Sequence, residues 1–476
     1  MAHHQSSHRV LALPDEVRAV NVGLPVFGEA LRAQGAEAVD VDWRIPAGGD
    51  PDLVAALSRL YGPAALGIER ANAEVIRRLD EGVPLLVGVA AALDAVPGME
   101  ERTVLHPGPP LPWERFCDPL ARSVKATVLA EGWAFTPEEA GSLVARGGVR
   151  LEPANHHGAV LPMATALGPS APVWVVEHSR GNNRAYSGIN QGPGAAAWFG
   201  MDAPEAVRLL TWLREVALPV FRATLASSGP VDLWALAAQG LQMGDDVHMR
   251  CQASTNLLIR HLLPHLVAVN PPGSPAVARF LSRNHLFFLN LAMAGAKAVT
   301  DWAGEVSGSS VVVSMSRNGT TFGIRLAGMA DRWFVSAAPD VGDALFYPGF
   351  GSGDAAPDIG DSAVLELVGL GGAATAASPM VASFLGGTMV AAVEGTEGMD
   401  RMCVARSTRF KIPYLDLRGA PVGVDVRKAV ELQVTPNINT GILHASSGRG
   451  QIGAGVARAP AECFRQALMA LDAALG

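Results

Sequence analysis

The chain has 476 residues, 49% hydrophobic and 17% charged, with a formal net charge of −8. Such a length allows roughly two to four domains with sizeable cores and excludes a disordered chain. The acidic balance, without a long Lys/Arg run, argues against nonspecific nucleic-acid binding, and no apolar run of eighteen residues suggests a membrane span.

Residues 1–14, opening Met1-Ala2-His3-His4-Gln5-Ser6-Ser7-His8, are polar, lack a signal-peptide core and are expected to form a disordered leader. A strand over 18–24, a helix over 27–34 stopped by Gly35, and a strand over 38–43 predict a βαβ opening. Helices over 51–60 and 67–82 lead to Pro84-Leu85-Leu86-Val87-Gly88-Val89, a short apolar run of the fully buried kind, which predicts a parallel sheet. Asn21-Val22-Gly23-Leu24-Pro25-Val26-Phe27-Gly28 is not the GxGxxG fingerprint, so a nicotinamide cofactor gets little support. A loop stiffened by prolines follows over 103–115, then a strand over 124–131 and a helix over 137–145 capped by Thr136.

From 151 glycine and asparagine become denser. Asn155-His156-His157-Gly158 reads as extended, so its adjacent histidines point to opposite faces and at most one enters a given pocket. After a strand over 173–177, Asn182, Asn183 and Arg184 offer donors suited to a carboxylate or phosphate, and Gly192-Pro193-Gly194 allows close backbone approach.

Residues 202–300 read as helices over 204–218, 219–227, 231–241, 250–263, 275–282 and 287–300. Within this apolar pattern lies Met243-Gly244-Asp245-Asp246-Val247-His248-Met249-Arg250. Helical spacing pairs Asp245 with His248 and Asp246 with Arg250. Either the pairs satisfy one another beside a core, or the stretch is a polar island facing a cleft between two domains. Asn284-His285 stands at a helix start, where the dipole favours anions, and Lys297 lies two turns beyond Asn290.

Residues 301–476 are rich in glycine and short strands. Ser316-Arg317-Asn318-Gly319-Thr320-Thr321 predicts a hairpin through its Asn-Gly pair, leaving Arg317 and Arg325 unexplained. Asp361 and Ser362 open a helix carrying Glu366, and glycine turns at 369–372 and 386–387 would expose N–H groups to an anion, although no Walker loop is present. In Asn437-Ile438-Asn439 both amides share one face of an extended segment while Ile438 faces the core, an arrangement that suits a ligand wall. Cys117, Cys251, Cys403 and Cys463 have no CxxC spacing, so neither a zinc knuckle nor a disulfide framework is suggested and a reducing cytoplasm is expected.

Taken in order, His156-His157-Gly158-Ala159, Asn183-Arg184-Ala185-Tyr186, Met243-Gly244-Asp245-Asp246, Asn284-His285, Phe287-Phe288-Leu289-Asn290, Arg317-Asn318-Gly319-Thr320, Pro357-Asp358-Ile359-Gly360-Asp361-Ser362 and Asn439-Thr440-Gly441 resemble the large-subunit family of oxamate carbamoyltransferase, a component of anaerobic allantoin breakdown. The resemblance spans about residues 15–470. It implies a multidomain α/β and α+β protein: a Rossmann-like domain over 15–150, an α/β segment bordering the cleft over 151–201, a helical hinge module over 202–300 and a glycine-rich α+β domain over 301–476. It also implies a cytosolic component that exchanges a carbamoyl group between oxalurate and phosphate, giving oxamate and carbamoyl phosphate, together with other subunits of the same enzyme. A homo-oligomer, small anionic substrates and no cofactor are expected, with assistance by a divalent metal left open.

Carbamoyl transfer needs donors around the carbamoyl oxygen, cations on the phosphate and a base for the attacking nitrogen. Arg184 and Arg317 are expected to hold phosphate or carboxylate, and loss of either side chain to cost most turnover with the fold intact. Asn183, Asn318 and Asn439 are expected to orient amides, with Asn284, Thr320, Asp361 and Asn437 as further substrate contacts. His157 or His285 would polarise the carbonyl or move a proton, with Asp245 orienting a histidine. The usual transcarbamoylase phosphate loop, Ser-x-x-x-Thr-Arg, is not found. Two other readings stay open: an amidohydrolase or ring-opening enzyme with a metal on His156 or His157, Asp245 and His248, and a noncatalytic scaffold subunit.

Overall fold

The computed structural model describes residues 17–41, 44–384 and 387–475. The expected leader, positions 42 and 43 of the second expected strand, and position 386 of a glycine turn lie outside them.

The architecture is mixed α/β with several sheets. Arg18–Val22 and Glu37–Val41 pair in parallel around the helix Pro25–Ala33, as the βαβ pattern predicts. The parallel sheet does not continue from there. Pro84–Ala91 joins a four-stranded sheet in the order Arg184–Gly188, Pro172–His178, Pro84–Ala91, Val231–Asp232, and its pairings are antiparallel. A run buried on both faces looks alike in either kind of sheet, so its composition does not set strand direction.

The stretch 124–131 is also corrected, since it belongs to the helix Asp118–Ala130. Its fully buried Leu120, Val124 and Val128 recur every four residues, a helical spacing that the β-branched content masked. Ala154–His157 is a short 3-10 turn and not a strand.

Six helices stand where the apolar periodicity places them: Pro204–Trp212, Leu218–Ser228, Leu233–Gln242, Gln252–Val269, Ser274–Arg283 and Phe288–Gly304. Phe288–Gly304 is buried almost all round, as a helix apolar on every face must be. Its Asn290 reaches out through Nδ2 to Gly188 O at 2.6 Å.

Val312–Asn318 and Thr321–Leu326 form the predicted hairpin. Gly319, at φ 77, takes the first central position of the turn, which glycine adopts without Cβ strain. A second hairpin, Asn437–Leu443 with Gln451–Arg458, carries Val341–Phe346 on its outer edge. Leu53, Leu57, Leu60 and Ile68, from early in the chain, share one core with Phe322, Ile438, Phe464 and Leu468. Arg59 closes that contact on Asp472, Nε to Oδ1 at 2.9 Å. No helix among the described residues is long and apolar enough to cross a membrane.

Candidate functional site

The polar stretch at the middle of the chain is a loop between Leu233–Gln242 and Gln252–Val269. Gly244 (φ 94) and Val247 (φ 60) break the helix, and positive φ at a β-branched valine is costly. The Asp246 carboxylate offsets that cost by accepting N–H bonds from His248 at 3.1 Å, Met249 at 3.3 Å and Arg250 at 2.8 Å. Asp245 accepts from Arg250 Nη1 at 2.6 Å, from Ser254 N at 2.7 Å and from Ser254 Oγ at 2.9 Å, so it anchors the start of the next helix. Burial raises its carboxyl above the usual range while these donors pull the other way.

The helical pairs therefore do not form. His248 Nδ1 instead lies 2.7 Å from Oε1 of buried Glu366, and Asp246 Oδ2 accepts from Asn439 Nδ2 at 2.9 Å. Gly371 N donates to Asp246 O at 2.8 Å. The loop is thus pinned to the C-terminal third.

A second buried network surrounds Arg317. Its Nε and Nη2 donate to the two oxygens of Asp358 at 2.7 and 3.0 Å, and Nη1 donates to Gly360 O at 2.6 Å. Both side chains are wholly buried. Asn318 Oδ1 accepts from Thr321 N at 2.6 Å and closes its own turn, while its Nδ2 donates to Pro109 O at 3.0 Å. Thr320 Oγ1 donates to Arg115 O at 2.8 Å. Asp361 accepts from Gly108 N at 2.8 Å and Leu161 N at 2.9 Å, and burial pushes its carboxyl up to about 6. Together these residues hold the proline loop against the hairpin.

One cleft borders the central loop, and a second is lined by Asn439, the partner of Asp246. The smaller, about 470 Å³, is lined by Met249 of the loop, Asn284 and His285 from the turn before Phe288–Gly304, Tyr347, and Arg449 with Gln451 from the tip of the C-terminal hairpin. Asn284 Nδ2 donates to Asn190 O at 3.1 Å, which fixes the amide's orientation and leaves Oδ1 buried without a partner. Asn190 is held in turn by Asn290, Nδ2 to Oδ1 at 2.9 Å. Among the described residues the His285 ring makes no hydrogen bond and Arg449 no ion pair. Burial lowers the His285 imidazole below its ordinary 6.5, so it is neutral near pH 7.

The larger cleft, about 720 Å³, has Asn437, Asn439, Thr375, Thr388, Glu394 and Arg458 among its lining residues. Ile438 between the two amides is fully buried, as the extended pattern predicts.

Comparison with known proteins places the chain in a family. Oxamate carbamoyltransferase subunit AllG of Escherichia coli (strain K12) is 40% identical over 414 residues, covering 86% of this chain and 99% of that protein. The chain belongs to the family of oxamate carbamoyltransferase subunit AllG. The model of that family matches residues 149–362. Protein YahG of the same organism, uncharacterized, is 32% identical over 456 residues, 95% of this chain and 96% of that one. A crystal structure of a conserved protein of unknown function from Enterococcus faecalis V583 has a TM-score of 0.85 at 33% identity, covering 87% of this chain and 99% of the other.

In this AllG-family chain the residues singled out from sequence are dispersed. Asn284 and His285 share one cleft, Asn437 and Asn439 the other, and Arg317, Asn318, Thr320 and Asp361 the buried network. His157 has both ring nitrogens occupied, by Glu152 Oε2 at 2.6 Å and Pro97 O at 2.7 Å. Asn183 Nδ2 donates to Ala298 O at 2.8 Å. Arg184 sits at the surface on Glu177, 3.1 Å away, with 57% of its side chain exposed. An exposed pair of this kind contributes little, so Arg184→Ala is expected to shift stability by less than about 1 kcal/mol. Turnover should stay near wild type, as steady-state kinetics beside a thermal melt would show.

The metal set of the amidohydrolase reading is not assembled either. His156 accepts from Trp333 Nε1 at 2.9 Å, while His157, Asp245 and His248 are engaged as described. Among the described residues no three His, Cys, Asp or Glu side chains are placed to share an ion. Arg449, Tyr347 and Arg458 were not assigned from sequence. A lone arginine between Gly448 and Gly450 at a hairpin tip was the available signal for the first.

Proposed function

We propose that the chain is a carbamoyltransferase component acting on a ureido acid of the oxalurate type and on phosphate, and that the 470 Å³ cleft is its reaction site. The observation that carries this reading is geometric: His285, whose ring makes no hydrogen bond among the described residues, lines one cleft with Arg449, which makes no ion pair among them, and with the oriented amide of Asn284. The other histidines proposed from sequence for catalysis or metal binding are engaged by protein partners.

In the reaction, an oxygen of hydrogen phosphate attacks the carbamoyl carbon of oxalurate. His285 takes the phosphate proton as the C–O bond forms. It then returns that proton to the nitrogen of oxamate as the C–N bond breaks, so carbamoyl phosphate and oxamate leave with no net proton change. Arg449 holds phosphate or the departing carboxylate as a charge-assisted pair. Asn284 Oδ1 accepts from the carbamoyl N–H, relieving a buried acceptor that otherwise lacks a bond. No redox step occurs.

That E. coli relative is named as a subunit, which supports an assembly with other subunits of the same enzyme, and a homo-oligomer is proposed within it. The deciding experiment assays the purified chain with carbamoyl phosphate and oxamate, alone and then with the other subunits proposed for the enzyme. Turnover that appears only with partners and is insensitive to substitution of His285 would favour the scaffold reading.

The pH profile supplies a further expectation. Burial lowers the imidazole, so kcat/KM should be flat near neutrality and fall as pH drops through a value below 6.5. His285→Gln should remove that acid limb.

A further inference from the structure

We infer that the larger cleft is a second binding site, separate from the first, for a small carboxylate that also carries a primary amide or ureido group. The inference rests on the donors and acceptors of this cleft alone and not on the transfer reaction.

Asn439 is 1% exposed and lines the cleft. Its Nδ2 donates to Asp246 Oδ2 at 2.9 Å and to Thr375 Oγ1 at 3.0 Å. A carboxylate oxygen can only accept, so the amide cannot be flipped, and Oδ1 is left as a buried acceptor with no partner. Asn437 stands two residues away on the same strand face, and its Oδ1 is likewise unpartnered. One amide oxygen whose orientation is fixed, with a second amide free to turn either way beside it, calls for an N–H donor, which a carboxylate or phosphate alone does not have and an –NH2 of an amide or ureido group does.

Arg458 supplies the other half of the recognition. It faces Asn437 across the hairpin register, is exposed and makes no ion pair among the described residues. Glu394, also in the lining, is not bonded to it. A guanidinium beside these two amides matches a ligand with a carboxylate at one end and N–H groups at the other.

The floor of the cleft is kept open by the helix Met389–Met402, which presents Ala391, Gly395 and Gly398. A side chain built at Gly398 would meet nothing within 4 Å, and one at Gly395 would meet only the Asn437 amide at 3.6 Å. Helix packing does not require glycine at either position, and the missing side chains leave the space to the cleft.

The test titrates N-carbamoylglycine into the full chain by calorimetry, with acetate and urea as probes that each lack one half of the pattern. N-carbamoylglycine is expected to bind more tightly than either. Arg458→Met and Asn437→Ala should each weaken that binding about tenfold, the size expected for one lost bond to a charged or buried group. Gly395→Leu should abolish it by filling the floor. Arg449→Met and His285→Gln, in the other cleft, should leave this binding event in place. Absence of binding, or binding lost only through Arg449 and His285, would overturn the assignment. All variants are compared at matched thermal midpoints, and turnover of His285→Gln, measured separately, judges the first cleft without touching this result.

Discussion

Arg317→Met is expected to lower the unfolding free energy by about 3–5 kcal/mol, the largest stability effect of any single substitution discussed. The guanidinium and Asp358 are both wholly buried and joined by two hydrogen bonds, at 2.7 and 3.0 Å. Removing the arginine strands an ionised carboxylate in a low-dielectric interior and deprives Gly360 O of its 2.6 Å donor. Thr440 Oγ1 still donates to Asp358 Oδ1 at 2.9 Å, but a hydroxyl cannot neutralise the charge.

Arg317→Met combined with Asp358→Leu should be milder than the single change, because no orphaned charge remains. Urea unfolding midpoints of the two variants decide the matter. A single variant as stable as wild type would mean that the pair contributes nothing. Where soluble Arg317→Met protein can be recovered, its turnover per folded molecule should be near normal. That expectation reverses the one drawn from sequence, in which Arg317 held an anion.

His285→Gln is expected to reduce kcat by about 10²–10⁴-fold, the usual contribution of a positioned general base. The fold should be unaffected. The His285 ring makes no hydrogen bond among the described residues, and its backbone oxygen, which accepts from Thr255 Oγ1 at 3.1 Å, is untouched by the substitution. Arg449→Met should act mainly on KM for the anionic substrate, since it removes binding present before and during the reaction. Arg449→Lys should recover part of the loss by restoring the charge without the bidentate fork. Kinetics of the assembled enzyme at several pH values provide the check. Full turnover in His285→Gln, with its acid limb intact, would move the base elsewhere.

Several features could be read from the chain alone because they are decided by near neighbours. The hairpin at Asn318-Gly319 follows from the backbone freedom of one glycine. The shared face of Asn437 and Asn439 follows from the two-residue repeat of an extended strand, and the helices between 204 and 304 follow from apolar spacing. Family membership was legible as well, through short motifs in a fixed order, and similarity over 86% of the chain establishes it.

Partners were not legible. His248 was matched to Asp245 three residues away, yet its partner is Glu366, 118 residues on. Asn439 finds Asp246 at a separation of 193 residues, and Arg317 finds Asp358 at 41. Arg317, which suggests an anion site in sequence, is consumed in a buried ion pair once the chain has folded.

By itself, then, the sequence determined the local elements, the family and the inventory of arginine, asparagine and histidine available for chemistry. Only the tertiary structure decided which of them are left unpaired beside a cleft. Local conformation depends on sterics and periodicity within a few residues. A polar group's availability depends instead on what the rest of the molecule brings to within hydrogen-bond distance, because every buried charge must find a counterpart somewhere along 476 residues.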